Sequence, residues 1–345
     1  MQIVSTIASG PTQALLATIA RRGANPTSVM ARVGLQSSQL RGDNRVVPLA
    51  TFTTILEVAA AEQDKTTFGL ELGRGFPVEE LGPIATLFMS SNNFGDALEK
   101  FTRYFPCLQS RTRSALSISN GTARLAYSIG DTTVRFRTQD AIFTLALEYS
   151  MIRKLLRRDW QCCHVDFEHS PDEDLDTYRV HFSCPIRFRQ RENAISFPAS
   201  YLNEPIPHSD SFQHARIEQS LGDMMRGNQA RLDLIAGLEA WITACLARSV
   251  AVDIECAASD FGMSLRTFQR KLEEQGINYL DIRNKVRCQI AKCMLAGTRL
   301  SVTGIAYSLG YSETSAFSRG FRHQVGMSPA AYRAVFGAVH SIPPQ

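Results

Sequence analysis

Several features are missing from this 345-residue sequence, and each absence removes a class of function. None of its eight cysteines forms a C-x-x-C pair. Cys162 and Cys163 are adjacent, so on a strand their side chains point to opposite faces, and Cys288 and Cys293 fall on different faces of a helix. This pattern leaves reduced thiols that pack as small hydrophobes rather than a disulfide or metal framework. No uncharged apolar run approaches the roughly 20 residues of a membrane-spanning helix. The nearest candidate, AIFTLALEYSMI, is short and carries Glu148. No cationic segment and no A-x-A-like site precede Arg21-Arg22, so a secretory signal is not expected. G-x-S-x-G, H-E-x-x-H, the P-loop and G-x-G-x-x-G are all missing. His164 and His169 flank Asp166, but at a strand-and-loop spacing that makes neither a triad nor a metal set. The expectation is a cytoplasmic protein that is not an enzyme, with no catalytic residue, no metal, no cofactor and no membrane contact.

What is present is an ordinary globular composition, 44% apolar and 20% charged, in a chain longer than one hydrophobic core usually serves. Two domains are expected, or three. The net charge of +4 becomes informative when divided along the chain. Residues 245–345 hold 12 Lys and Arg against 7 Asp and Glu, a net of +5, whereas residues 1–244 hold 25 against 26. All of the positive excess lies in the last hundred residues, a modest sign of nucleic-acid binding.

The first 200 residues read as α/β, with helices and strands mixed. TQALLATIARRG is a helix stopped by Gly23, PLATFTTILEVAAAEQD a helix opening at Pro48, and FGDALEKFTRYF a third. Alternating residues on both sides of Asn120-Gly121 predict a hairpin with a type I′ turn. A long amphipathic segment over 138–157 follows, then strands at CCHVDF, PIRF and AISF, with a short helix at DEDLDTYRVHF. NEPIPHSD has two prolines and no period, which places the end of the first domain near residue 205. The predicted division is a sensing and dimerisation domain over 1–205, a connecting helix and linker over 206–229, and an all-α domain over 230–345.

That last domain contains a weak internal repeat. IECAASDFGMSLRTFQRKL and VTGIAYSLGYSETSAFSRGF each have a short helix with Ala258 or Ala306 and a glycine, Gly262 or Gly310. Each continues with Met263 or Tyr311, then with Ser264 or Ser312, a serine suited to an N-cap, and a second helix with Phe268 or Phe317 inside. A helix, a tight turn and a capped helix make a helix-turn-helix, here at 254–274 and 302–323. In such a unit the second helix buries its apolar stripe and offers its other face to the major groove. Arginine can grip guanine through two hydrogen bonds, and Ser and Thr can read a base or hold a phosphate. The outward residues are Arg266, Gln269 and Arg270 in the first unit. In the second they are Thr314, Ser315, Ser318 and Arg319, with Arg322 placed for a base or a phosphate. Gly320 within that helix suggests close packing or close approach. Between the units, NYLDIRNKVRCQIAKCMLAG forms a helical rod of suitable length to set the two reading helices near one DNA turn apart.

These residues carry a resemblance. AASDFGMSLRTFQRKL, VRCQIAKCML and LSVTGIAYSLGYSETSAFSRGFRHQVGMSPAAYR together resemble the DNA-binding domain of the AraC/XylS family of bacterial transcription regulators. The match rests on Ala306, Gly310-Tyr311-Ser312, Phe317, Arg319 to Arg322, Ser328-Pro329 and Tyr332-Arg333. Carried over, the family's base-facing positions fall on Arg266, Gln269, Arg270, Thr314, Ser315 and Arg319. VPLATFTTILEVAA, FGLELG, LGPIATLFMSSNNFGDALEKFTRYF, HSPDEDLDTYRVHFSCPIRF and ENAISFPASYLNEPI resemble the "arabinose-binding" type of sensor domain in one branch of that family. The resemblance implies a homodimeric regulator, an activator, with promoter DNA, RNA polymerase and an unknown small-molecule effector as partners.

RKLLR (153–157) puts Arg153 and Arg157 on one helix face, the fork an anionic effector needs, though chance on an amphipathic helix gives the same spacing. An enzyme of the methyl-accepting type needs four clustered thiolates, and the cysteines lack that spacing. The remaining alternative is a regulator controlled by a partner protein or by its own abundance, with a sensor domain that binds nothing.

Overall fold

The computed structural model describes residues 4–36, 40, 46–156, 160–171, 174–206, 211–227 and 234–337. A small ribbon comes first: β1 (Thr6–Ala8) pairs antiparallel with β2 (Val46–Pro48), Ile7 opposite Val47. Helix α1 (Ser9–Arg21) stops at Gly23, which takes φ 85°, and α2 (Pro26–Arg32) starts with Asn25 accepting from Thr27 N and Ser28 N. Helix α3 (Leu49–Glu62) is buried over its first twelve residues, on every side, and forms the axis of the first half.

Helix α4 (Phe68–Gly75) has to lie backbone to backbone on α7 (Thr138–Leu156), and its composition explains how. A Cβ at Gly69 would meet Gln139 O at 2.4 Å, and one at Gly73 would meet Phe143 O at 2.4 Å. The two glycines, one turn apart, let the helices approach, and Gln139 Oε1 accepts from Gly69 N at 2.8 Å. After α5 (Pro83–Met89) and α6 (Phe94–Leu108) the period changes to two.

The hairpin is β3 (Thr112–Ser119) and β4 (Thr122–Ile129), closed by Asn120 and Gly121 with φ 49° and 75°. Positive φ at both central residues is the type I′ geometry that Asn-Gly favours. The sheet continues through β7 (Asn193–Pro198) to β5 (His164–Asp166) and β6 (Ile186–Arg187), giving the order β3-β4-β7-β5-β6. Every pairing is antiparallel except β5–β6, whose crossover is α8 (Leu175–Phe182). The first half is therefore α+β.

Helix α9 (Ser211–Gly227), expected as a connector, packs on α5 and α6, and Ile217, Leu221 and Met224 join the first core. Everything described beyond it is helical: α10 (Leu234–Ala247), α11 (Ile254–Asp260), α12 (Leu265–Glu273), α13 (Tyr279–Gly297), α14 (Val302–Ser308), α15 (Thr314–Val325) and α16 (Pro329–Phe336). These helices enclose a second core around Trp241, Phe268, Ile290, Phe317 and Phe321, which Ala31 of α2 also enters. Among the described residues, no helix is long and apolar enough to cross a membrane.

Gly73→Ala tests the α4–α7 contact. The added methyl must displace backbone, so unfolding free energy should fall by about 1–3 kcal/mol in a denaturant titration. An unchanged midpoint would show that the helices can separate without cost.

Candidate nucleic-acid interface

Two helix pairs repeat the same local design. In the first, α11 ends in a turn where Gly262 takes φ 65°, and Ser264 caps α12 by accepting from Thr267 N at 3.3 Å. Phe261 and Phe268, with ring centroids 5.5 Å apart, join the two helices on the inner side. In the second, Ser301 caps α14, Gly310 takes φ 73°, and Tyr311, Phe317, Phe321 and Tyr332 form a chain of ring contacts at 5.4–5.8 Å. The N-cap of α15 is Glu313, not the expected Ser312, and it has no side-chain cap bond. Instead the Glu313 carboxylate accepts from the Ser315 hydroxyl at 2.8 Å, so the acid takes up a hydroxyl two residues on rather than a backbone N–H.

The outward faces differ in how free they are. Arg266, Gln269 and Arg270 are exposed on α12, and Ser315, Arg319 and Arg322 on α15, while Thr314 and Ser318 are half-buried. Arg270 is paired with Glu274 at 2.5 Å, an exposed i,i+4 contact that costs little to break. Among the described residues, the side chains of Arg266, Gln269, Arg319 and Arg322 form no hydrogen bond or ion pair. A Cβ at Gly320 would meet nothing nearer than the Tyr311 hydroxyl at 3.8 Å, so packing inside the protein does not require a glycine there. Asn284, Cys288 and His323, which sequence reasoning passed over, line a cleft of about 420 Å³ beside Arg319. Their i,i+4 spacing on α13 and position on α15 carry no separate sequence signal.

The rod α13 fixes the separation of the pairs. Its 19 residues span roughly 28 Å at ~1.5 Å per residue. At one end the Tyr279 hydroxyl donates to Val252 O at 2.9 Å, and burial pushes that phenol above its ordinary value, so it remains a donor. At its middle, Arg287 lies 4.8 Å from the Tyr311 ring centroid and donates to Gly310 O at 3.3 Å. Burial lowers the Arg287 guanidinium without approaching neutrality, so the cation–π contact persists.

The first pair is also clasped to the sheet-containing half. Asp260, the last residue of α11, accepts from Trp241 Nε1 at 2.8 Å and pairs with Arg135 Nε at 3.3 Å. The Thr132 hydroxyl donates to the Asp260 carbonyl. Nearby, Arg248 reaches Glu57 at 3.8 Å and lies 5.7 Å from the Phe136 ring centroid. Helix α13 packs on α2, with Gly34 against Ile290 and Gly297 against Thr27. Of the suggested anion fork, Arg153 is exposed and lies 6.0 Å from the Tyr149 ring centroid, while Arg157 lies outside the described residues.

Arg135→Ala should loosen the clasp while Trp241 still holds Asp260. A half-exposed ion pair contributes about 0.2–1 kcal/mol, so amide exchange over residues 254–262 should quicken by up to about fivefold. Unchanged exchange would mean that the α2–α13 packing alone holds the first pair in place.

Comparison with known proteins agrees with this geometry. Residues 23–206, more than half of the chain, match the arabinose-binding domain at the N-terminus of the AraC transcription regulator, and residues 257–334 match a helix-turn-helix domain. The HTH-type transcriptional regulator VirS of Mycobacterium tuberculosis is 28% identical over 320 residues, covering 91% of this chain and 92% of its own length. The ornithine utilization regulator of Pseudomonas aeruginosa is 26% identical over 327 residues, covering 93% and 94%. The crystal structure of the transcriptional regulator CdpR from Pseudomonas aeruginosa covers 94% of this chain and 98% of its own at 18% identity, with a TM-score of 0.48. The chain is a DNA-binding transcription regulator, not an enzyme, and belongs to the AraC family, in the group with this ligand-binding type of N-terminal domain.

Proposed function

We propose that the chain is a ligand-responsive activator acting in the cytoplasm, whose helices α12 and α15 enter successive major grooves of promoter DNA. The observation that carries this is the pair of exposed polar faces joined by one rod, with the Arg266, Gln269, Arg319 and Arg322 side chains unengaged among the described residues. Arg266, Gln269 and Arg270 read one groove segment; Thr314, Ser315, Ser318 and Arg319 read the next, and Arg322 grips the backbone. The division is a sensing and dimerisation domain over 1–205, a connector over 206–229 and a DNA-binding domain over 230–345. A homodimer contacting RNA polymerase follows from the family resemblance.

For the effector, a cleft of about 290 Å³ supports a site where α9 crosses the first half, lined by Ser9, Ile84, Cys107, Leu221 and Met224 among others. That size is at the small end of ligand pockets, roughly 300–1,000 Å³. A molecule there touches the helix that leads into the DNA-binding part. One relative is named for ornithine utilization, so basic amino acids belong in the first panel.

Two experiments test the reading. On an operator selected from random DNA, Arg319→Ala and Arg270→Ala should each cost about 1–3 kcal/mol and relax preference at one position, whereas Arg322→Ala should weaken all sequences alike and reduce the salt slope by about 1. Equal weakening on every sequence would demote Arg319 or Arg270 to phosphate contact, and no effect would remove it from the interface. In a thermal-shift screen of metabolites, an effector at a hundred times its Kd should add about 2.7 kcal/mol of stability. A blank across the panel would favour control by a partner protein or by abundance.

A further inference from the structure

Cys162 and Cys184 are separated in sequence but meet where two strands begin. Cys162 lies just before β5 and Cys184 just before β6, and these strands run parallel with Val165 opposite Ile186. Neighbouring strands lie about 4.8 Å apart, within the roughly 4.4–6.8 Å between Cα atoms that a disulfide spans. Strict alternation along the strands would set Cys163 beside Cys184. Both segments leave regular strand geometry before these residues, however: Cys162 and Cys184 both pack against the first core while Cys163 is exposed, so the two thiols that come together are those of Cys162 and Cys184.

The surroundings make the two sulfurs unequal. The Cys162 thiol also reaches Ser196 O at 3.4 Å and His164 O at 3.5 Å, acceptors that favour keeping its proton. Cys184 lies beside the Cys162 thiol and close to the Val165 N–H, which donates to Pro185 O at 3.0 Å, and both dipoles favour a thiolate there. Cys184 is therefore the readier of the two to lose its proton, its thiol being held below its ordinary value mainly by its partner. Both residues are half-buried, so neither is sealed from a small oxidant, and Cys163 beside them is exposed. Among the described residues, no group of three metal-type ligands exists, so the pair is two sulfurs short of a structural zinc set.

We propose that Cys162 and Cys184 form a reversible disulfide-forming site that takes a peroxide as its oxidant. The Cys184 thiolate attacks one peroxide oxygen, the O–O bond breaks, and hydroxide leaves with Cys184 as the sulfenic acid. The Cys162 sulfur then attacks the Cys184 sulfur, its proton joins the departing hydroxyl, and water leaves as the S–S bond forms. Two thiols and one hydrogen peroxide give one disulfide and two waters; the sulfurs supply both electrons.

The test uses the reduced full-length protein, hydrogen peroxide at a few equivalents, alkylation of the remaining thiols and non-reducing peptide mapping. The expected product is a Cys162–Cys184 cross-linked peptide lighter by two hydrogens, absent after dithiothreitol. Cys163→Ser should retain the link, and Cys162→Ser should stop at a sulfenic acid on Cys184 that dimedone traps. The proposal is overturned if Cys184 is joined to Cys163, or if peroxide leaves both thiols alkylatable or carries Cys184 to sulfinic acid without a link. Mapping the unsubstituted protein decides between these outcomes even if a variant fails to fold.

Discussion

The orientation of α12 depends on Asp260. Its carboxylate ends α11 and is held from two directions, by Trp241 Nε1 at 2.8 Å from within the helical half and by Arg135 at 3.3 Å from the loop after β4. Because α11 and α12 share the Phe261–Phe268 contact, fixing Asp260 fixes the face that carries Arg266 and Gln269. Helix α10 supports the same arrangement, packing on α3 on one side and α13 on the other. The second pair hangs on α13 through Arg287 and through Arg333, which donates to Leu295 O at 3.4 Å. The two units are alike in local design and unlike in attachment: one is tied to the sheet-containing half, the other to the rod.

The Arg135 loop leads directly into α7, whose interior carries an uncommon load of polar atoms. Asp140 accepts from the Tyr127 hydroxyl at 2.6 Å, and burial pushes its carboxyl up to about 7. Burial alone pushes Glu148 to about 8, and neither of its oxygens has a partner among the described residues. A carboxyl in that position keeps its proton at neutral pH, since burying the neutral acid costs far less than burying the ion. From Glu57, on the adjoining α3, the carboxylate reaches both Gln139 N and Arg248. Glu57 thus ties the buried polar start of α7 to Arg248 of the helical half.

What was legible in the sequence is what short-range chemistry decides. Asn120-Gly121 specifies its turn because few other residues tolerate positive φ twice in succession, and Gly262 and Gly310 mark their turns for the same reason. The reading faces were legible because Phe268, Phe317 and Phe321 define the buried side, leaving the arginines on the other. The Asp260 clasp, the strand order and the Cys162–Cys184 contact were not, because each joins residues far apart in sequence and no periodicity links them. Glu148 reads as a charge that interrupts an apolar run; only packing reveals a buried acid. Ser312 missed its role by one residue because Glu313 can occupy the cap position while its side chain turns to Ser315.

On the proposed reading, the rod places a further demand on the DNA. Both units are attached to α13, so wherever their spacing departs from the ~34 Å between successive major-groove faces the duplex must bend toward the protein or the units must tilt outward. The first unit resists tilting, being clasped at Asp260 and packed through α2, so the adjustment falls on the second unit and on the DNA. The side chains divide in the same sense. Arg270 must give up Glu274 to reach a base, whereas the Arg319 and Arg322 side chains have no partner to give up among the described residues, and Gly320 between them leaves the backbone bare for close approach. The unit that is freer to move therefore carries the arginines that bind at the lower cost, and the clasped unit sets the register from which it reaches.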